Sequence, residues 1–355
     1  MPASNPKMSA SVLRYFHPVL PAKDLGARPR RIEIASRAYV LFRDAEGVPA
    51  ALDDQCPHRR APLSQGHIRP DGRIACGYHG WHFDAEGRGR SPACPDLKHC
   101  DTGSYQIIEH FGFLWMAERG VSLTGLTPLG EESFQFAGAI SILFSAPLDV
   151  TLDNIAEDEH FAYIHSTFGW NEESSSQVMV ETRSFDDRTE VRYQGPQRRT
   201  SFGALGGIRA GDLFYNEWST TFEPVRTVYT FGWRDARTGE DRGVLTRAIV
   251  FLVPQTANAT AAHMFIFMKI APSLRALFRP VFHRMACWIA KKELRRDAAF
   301  VSHLAAVPSS LQGMRLTRFD KALAQNRKLL KRVYWRENQG SPAPFVPAMS
   351  ARAPQ

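Results

Sequence analysis

A chain of 355 residues, 44% hydrophobic and 23% charged, can bury one large core or two smaller ones, which excludes a disordered or fibrous protein. Its five cysteines (Cys56, Cys76, Cys94, Cys100 and Cys287) are too scattered for a secreted disulfide framework, and no run nears the roughly 18 apolar residues of a membrane span. The net charge of +8 comes from Lys and Arg spread along the chain without an RNA- or DNA-binding motif, so nucleic acid is excluded and an acidic protein partner is expected.

Residues 1–16 hold no apolar core for a signal peptide, which points to the cytoplasm. After a lead-in at 11–30, β-type runs are expected at 31–34, 38–43 and 50–53, with a hairpin turn at Glu46-Gly47. A short strand at 72–75 and a second hairpin around Glu86-Gly87 follow, then strands at 105–110 and 113–116. The chain to about residue 120 therefore reads as a small all-β domain. An apolar strand at 139–146 leads into a helical window at 150–165. Strand patterns recur at 176–183, 190–194, 214–222, 226–233, 247–253 and 263–270, the last two joined by a polar stretch at 255–262. They predict a curved antiparallel sheet. Helix is expected in 273–304 and at 316–333, and a disordered tail at 339–355. The fold class is α+β, divided into 1–120, 121–338 and the tail.

Two clusters carry chemistry in the first part. Cys56-Pro57-His58-Arg59 and Cys76-Gly77-Tyr78-His79-Gly80-Trp81 each set a Cys and a His at metal-binding distance, with seventeen residues between His58 and Cys76. Two thiolates and two imidazoles on paired turns suit a [2Fe–2S] cluster with two Cys on one iron and two His on the other, a Rieske centre. The alternative is structural zinc, but zinc fingers group like ligands, and here Cys and His alternate.

The second constellation lies in the helical window, where His160 and His165 stand beside Asp153, Asn154, Glu157, Asp158 and Glu159. With a carboxylate such as Asp297 far downstream, they make the two-His, one-carboxylate set of a non-haem Fe(II) oxygenase. Positions five apart lie roughly 140° apart around a regular helix, so a bend or π-bulge is expected between the two histidines. Taken alone, a His-x4-His pair reads more readily as an acid-rich surface helix with one His packed and one solvated. Beside a redox cluster in need of an acceptor it reads as a metal site.

With both motifs in this order, the chain resembles the large (α) subunit of Rieske non-haem iron oxygenases, in particular the α-only dicamba and vanillate O-demethylase types. The resemblance runs from His17-Pro18 to about residue 335. It implies a Rieske domain followed by a helix-grip (START-like) domain whose sheet encloses the pocket around a long helix. It assigns Cys56 and Cys76 to one cluster iron, His58 and His79 to the other, and His160, His165 and Asp297 to the mononuclear Fe(II), with Glu293 as runner-up to Asp297. Asn154 matches a family Asn near that metal. The family carries Asp three residues before the first ligand His, where it links the two centres across a subunit interface. This chain has Glu157 there and Asp158 next to it, and register favours Glu157.

The resemblance further implies a homotrimer, O2 as co-substrate, and electrons from a separate ferredoxin or reductase, since the chain has no flavin or nucleotide fingerprint of its own. Arg59, Arg60, Arg88 and Arg90 are candidates for docking that donor. Cys94 and Cys100 read as free thiols. The expected activity is monooxygenation or demethylation of an apolar aromatic or polycyclic molecule, in a pocket walled by the segment around Phe161 and by Phe214, Tyr215, Trp218, Phe231, Trp233, Phe251, Phe265 and Phe267. Two other classes remain open: a Rieske electron carrier with an appended domain, and a non-catalytic helix-grip binding protein with a structural metal.

Overall fold

The computed structural model describes residues 12–126, 133–198, 208–209, 211–270, 275–307 and 310–335. The expected disordered tail lies outside them. The N-terminal part holds a six-stranded antiparallel sheet in the order β1 (His17–Pro21), β10 (Phe113–Ala117), β9 (Ser104–His110), β4 (Pro49–Asp53), β3 (Arg37–Arg43), β2 (Arg30–Ile34). Four two-residue strands, β5 (His67–Ile68), β6 (Ile74–Ala75), β7 (His82–Phe83) and β8 (Gly89–Arg90), form a second small sheet. The sequence Asp-Ala-Glu-Gly occurs twice, at 44–47 and 84–87, and folds the same way each time. Asp44 accepts the amides of Glu46 and Val48, and Asp84 those of Glu86 and Arg88, so one short carboxylate fastens each hairpin.

The second part is a seven-stranded antiparallel sheet. The strands β12 (Met179–Ser184), β13 (Arg188–Pro196), β14 (Leu213–Phe222), β15 (Val225–Arg234), β16 (Val244–Thr256) and β17 (Ala259–Ile270) follow one another as a meander. Strand β11 (Gln135–Phe144) pairs with β17 and closes the far edge. The 27-residue helix α2 (Arg275–Val301) packs on this sheet, with Phe282, Ala286 and Ala290 against Ile266, Met268 and Ile270. Helices α1 (Leu148–Ile155) and α3 (Leu323–Tyr334) complete the layer.

Both faces of β16 and β17 are buried, and side-chain alternation assigns the faces. Ile249, Phe251, Phe265 and Phe267 pack against Phe113 and Trp115 of the N-terminal part, with Trp115 stacked 5.2 Å from Phe265. The alternate positions, Ala248, Met264, Ile266 and Met268, face the helix side. Two expectations are corrected here. The polar stretch at 255–262 is almost all strand, because β16 and β17 run on to Thr256 and from Ala259 around a tight turn. The last helix begins at Leu323, not 316, because Asp320 instead accepts the amide of Thr317 and holds a turn there.

Candidate functional site

The two Cys–His loops project side by side between β4 and β5 and between β6 and β7. They share one backbone plan. The amide of Arg60 donates to the Cys56 carbonyl and that of Gly80 to the Cys76 carbonyl, while the Cys56 and Cys76 amides donate to the carbonyls of Ala61 and Trp81. Arg60 and Gly80 both take positive φ, 61° and 71°, to close these turns. The plan buries both thiols, which touch each other, and leaves both imidazoles exposed with ring centroids 4.6 Å apart. Burial pushes the free Cys56 thiol up to about 11, so two buried sulfurs face to face fit a thiolate-binding metal better than solvent. His58 also stacks on Trp81, with 5° between planes.

The mononuclear site is built where a helix fails. The helical window expected at 150–165 ends at Ile155, and a 3-10 turn at Glu159–Ala162 replaces the rest. The cause is tertiary. Asp158 is buried and accepts a 2.7 Å hydrogen bond from Asn216 Nδ2 on β14, which pulls the chain off the helix axis. Glu157 turns back to accept the Glu159 amide at 2.6 Å and the His160 Nδ1–H. The bend between His160 and His165 is thus a break with a 3-10 turn, not a π-bulge. It brings the two rings to a centroid distance of 4.9 Å.

Asp297 reaches them from α2. Its Oδ1 lies 2.8 Å from His165 Nε2 and 3.5 Å from His160 Nε2, and the three candidate ligand atoms all fall within 4.8 Å of one another. Glu293, one turn earlier, is occupied elsewhere. It accepts from Ser166 and Thr167 hydroxyls and from Arg296, which ties α2 to the loop behind His165. Arg198, which the sequence does not single out, donates to the carbonyls of Phe161 and His165 and braces that loop from the end of β13. Asn154 sits on the cavity wall with its Oδ1 buried and unpartnered.

Burial alone would lower the pKa of His160, but the carboxylates of Glu157, Asp297 and Asp158 outweigh it and raise it to about 9. Burial likewise raises Asp158, to about 7. A buried group of carboxylates that draws positive charge onto an imidazole fits a divalent cation.

A cavity of about 150 Å³ opens from these residues between the sheet and α2. Its sheet wall runs across four paired strands: Phe214 and Asn216 on β14, Phe231 and Trp233 on β15, Thr246 and Ala248 on β16, Ile266 and Met268 on β17. Phe161, Phe214, Phe231 and Trp233 therefore line it as expected. Tyr215, Trp218, Phe251, Phe265 and Phe267 do not. Phe251, Phe265 and Phe267 lie on the opposite sheet face, and Trp218, although in one aromatic cluster with the lining Phe214 and Trp233, is stacked on Tyr193 at 5.0 Å and does not line the cavity. Tyr215 points away too, its hydroxyl toward Asp241.

A small Cys–His β-module joined to a sheet-and-helix domain with a His–His–Asp group at its cavity defines an iron-dependent oxidoreductase class. Residues 15–102 match the Rieske [2Fe-2S] domain. The chain is 30% identical over 286 residues to the 4β-methylsterol monooxygenase of Methylococcus capsulatus (strain ATCC 33009 / NCIMB 11132 / Bath), covering 75% of this chain and 68% of that protein. It is 29% identical over 156 residues to the vanillate O-demethylase oxygenase subunit of Pseudomonas sp. (strain HR199 / DSM 7063), covering 41% of this chain and 42% of that one. The crystal structure of dicamba monooxygenase bound to 3,6-dichlorosalicylic acid superposes with a TM-score of 0.74 at 17% identity, over 91% of this chain and 97% of that one.

The chain belongs to the Rieske non-haem iron oxygenases. It is an α-subunit-type terminal oxygenase with a [2Fe–2S] cluster and a mononuclear iron, in a family that uses O2 and separate electron-donor proteins. Among the described residues, no helix is long and apolar enough to cross a membrane.

Proposed function

We propose that Cys56, His58, Cys76 and His79 hold the cluster, that His160, His165 and Asp297 hold the iron, and that the enzyme monooxygenates or demethylates an apolar aromatic or polycyclic molecule. The observation that carries this is the convergence of the His160, His165 and Asp297 ligand atoms at the polar end of an otherwise apolar cavity. When bound, the two centres supply one-electron storage and dioxygen activation. The protein's own residues do the rest. Glu157 orients the His160 ring and keeps its Nε2 toward Asp297. Glu293 and Arg198 hold the His165 loop, and the aromatic wall excludes water and positions a flat, apolar substrate.

The division at residue 120 follows the end of β10 at Ala117. Glu157 remains partly exposed, at 20% of its side chain, and so can face a neighbouring subunit, whereas buried Asp158 cannot. We therefore place the link between centres at Glu157 in a homotrimer. An open groove lined by Tyr163, Ser166, Arg296 and Phe300 beside His165 would receive the neighbour's exposed His58 and His79. The electron donor would dock near exposed Arg59, Arg60 and Arg90; Arg88 is already paired with Asp84 and Glu86. A reducing cytoplasm suits five unpaired cysteines, Cys94 and Cys100 among them.

The test is iron and acid-labile sulfide analysis with EPR of the reduced protein, followed by turnover of ring compounds with a ferredoxin and reductase. A cluster signal with one extra iron that is lost in His160→Ala and His165→Ala supports the proposal. Zinc without sulfide, or an iron count unchanged in those variants, overturns it.

A further inference from the structure

From Val281 onward, helix α2 divides into two faces. Phe282, Ala286, Ile289 and Asp297 point inward and line the cavity. At about 100° per residue, Val281, Arg284, Trp288, Lys291, Lys292 and Arg295 fall in one stripe about 120° wide on the other side. Val281 is 57% exposed and Trp288 63%, and Arg284, Lys291 and Arg295 stand in solvent as well. The Lys292 ammonium lies 5.5 Å from the centre of the Trp288 ring. The helix has two acids, Glu293 and Asp297, and both are buried on the inner face. Glu293 pairs with Arg296, and none of the four stripe cations forms an ion pair among the described residues.

Two apolar side chains among four cations, with no anion on the stripe, is the layout of a helix that lies in a lipid headgroup layer. The indole has an apolar body and an N–H for headgroup oxygens, and the Lys and Arg stems let their charges reach the phosphates. Two other occupants fit less well. A second copy would set cations against cations, both at this stripe and at the exposed Arg59, Arg60 and Arg90 beside the cluster loops. An acidic protein matches the charge, but it must supply a pocket for the projecting indole, whereas a bilayer accepts one anywhere on its surface. Since no helix among the described residues can cross a membrane, the contact is peripheral.

We propose that the outer stripe of α2 docks the enzyme on an anionic lipid bilayer, with Trp288 and Val281 in the headgroup layer and Arg284, Lys291, Lys292 and Arg295 on the lipid phosphates. The cavity then lies one helix diameter, about 10 Å, behind the docked surface. Part of its apolar wall is the reverse side of the same helix. A lipophilic substrate dissolved in the bilayer is thereby concentrated next to its site. That last consequence rests on the cavity being the substrate site, as proposed above, whereas the docking itself does not.

Co-sedimentation of the holoenzyme with lipid vesicles tests this at near-physiological salt. The vesicles are phosphatidylcholine alone, or phosphatidylcholine and phosphatidylglycerol in equal parts. We expect the anionic vesicles to bind at least about tenfold more tightly than the neutral ones. A variant combining Lys291→Gln, Lys292→Gln and Arg295→Gln should lose about 100-fold, near fivefold for each cation. Trp288→Ser, at an exposed position, should lose about tenfold. A variant combining Arg59→Gln, Arg60→Gln and Arg90→Gln removes the same charge elsewhere and should stay within about twofold of wild type. No binding to anionic vesicles, an equal loss in the Arg59 control, or full binding by Trp288→Ser overturns the inference. If the α2 variants keep the vesicles and lose an acidic ferredoxin instead, the stripe is a protein-docking face and the inference falls. Iron and sulfide analysis of the same samples reports on the metal sites separately, so a failure here leaves that reading standing.

Discussion

Arg198 donates from Nη1 to the backbone carbonyl of His165 at 2.8 Å, and its other terminal nitrogen donates to the carbonyl of Phe161, the residue after His160. One guanidinium therefore clasps both ends of the loop that carries the two candidate histidine ligands. The loop needs such a brace because it lies beyond the end of α1 and has no helical ladder to fix it.

Replacing Arg198 by Met should loosen the loop and weaken metal binding by about 10- to 100-fold, the usual cost of removing outer support from a ligand. Arg198→Lys, which can reach one carbonyl but not both, should fall between. Iron analysis should show loss of the mononuclear iron while the visible spectrum of the cluster stays unchanged. Equal iron content in all three proteins would mean that the loop holds itself.

Glu157 holds the Nδ1 side of His160, and its charge raises the basicity of that ring. Glu157→Gln keeps the length of the arm and removes the charge. Product formation with a reductase should drop about 10- to 100-fold while iron content is retained. Glu157→Asp tests reach instead: a carboxylate one methylene shorter should restore little if the link depends on the longer arm. A Gln variant as active as wild type would remove the carboxylate from the proposed electron route.

The candidate metal ligands are legible in the sequence because thiols and imidazoles at close spacing have few other uses, whereas the resemblance suggested Asp297 and left Glu293, one turn earlier on the same helix, as the runner-up. The strands are legible from two-residue alternation, to within a few residues. What fails is whatever depends on register across the sheet. Phe265 and Met264 are neighbours in sequence, yet Phe265 packs on Trp115 and Met264 lines the cavity, and only the pairing of β17 with β16 decides which. The end of the helix at Ile155 is likewise invisible locally. The 150–165 window has ordinary helical periodicity, and the partner that breaks it, Asn216, comes 58 residues after Asp158. Arg198 carries no signal at all, since its role consists of contacts to two backbone carbonyls.

Gly66 gives a structural prediction for the cluster. A Cβ there would sit 1.9 Å from the Ala75 carbonyl oxygen, and that strand leads directly into Cys76. The obstacle is backbone, so no side-chain rotation relieves it. Gly66→Ala should force β5 and β6 apart, move the Cys76 loop relative to the Cys56 loop, and cost the cluster before it costs the rest of the fold. The visible absorbance and the sulfide content should fall sharply, while far-UV circular dichroism changes little. A variant that keeps full cluster absorbance would show that the small sheet can shift as a unit.

His17 on β1 and His263 on β17 are both buried at the seam between the two halves, where Phe113 packs edge-on against His263. Burial lowers His17 to about 4 and His263 to about 3, and each would repel the other if charged. The sign follows from linkage: the unfolded chain takes up these protons near pH 6.5 and the folded one does not, so stability rises with pH across this range. The stability contributed by neutral burial is complete above about 6.5 and is lost as the pH falls toward 4, on the order of 3 kcal/mol for His17 alone. Urea midpoints followed by far-UV circular dichroism are expected to fall between pH 7 and pH 5 more steeply in wild type than in His17→Gln. The same slope in both proteins would show that the acid sensitivity arises elsewhere, most simply in carboxylates such as those around His160.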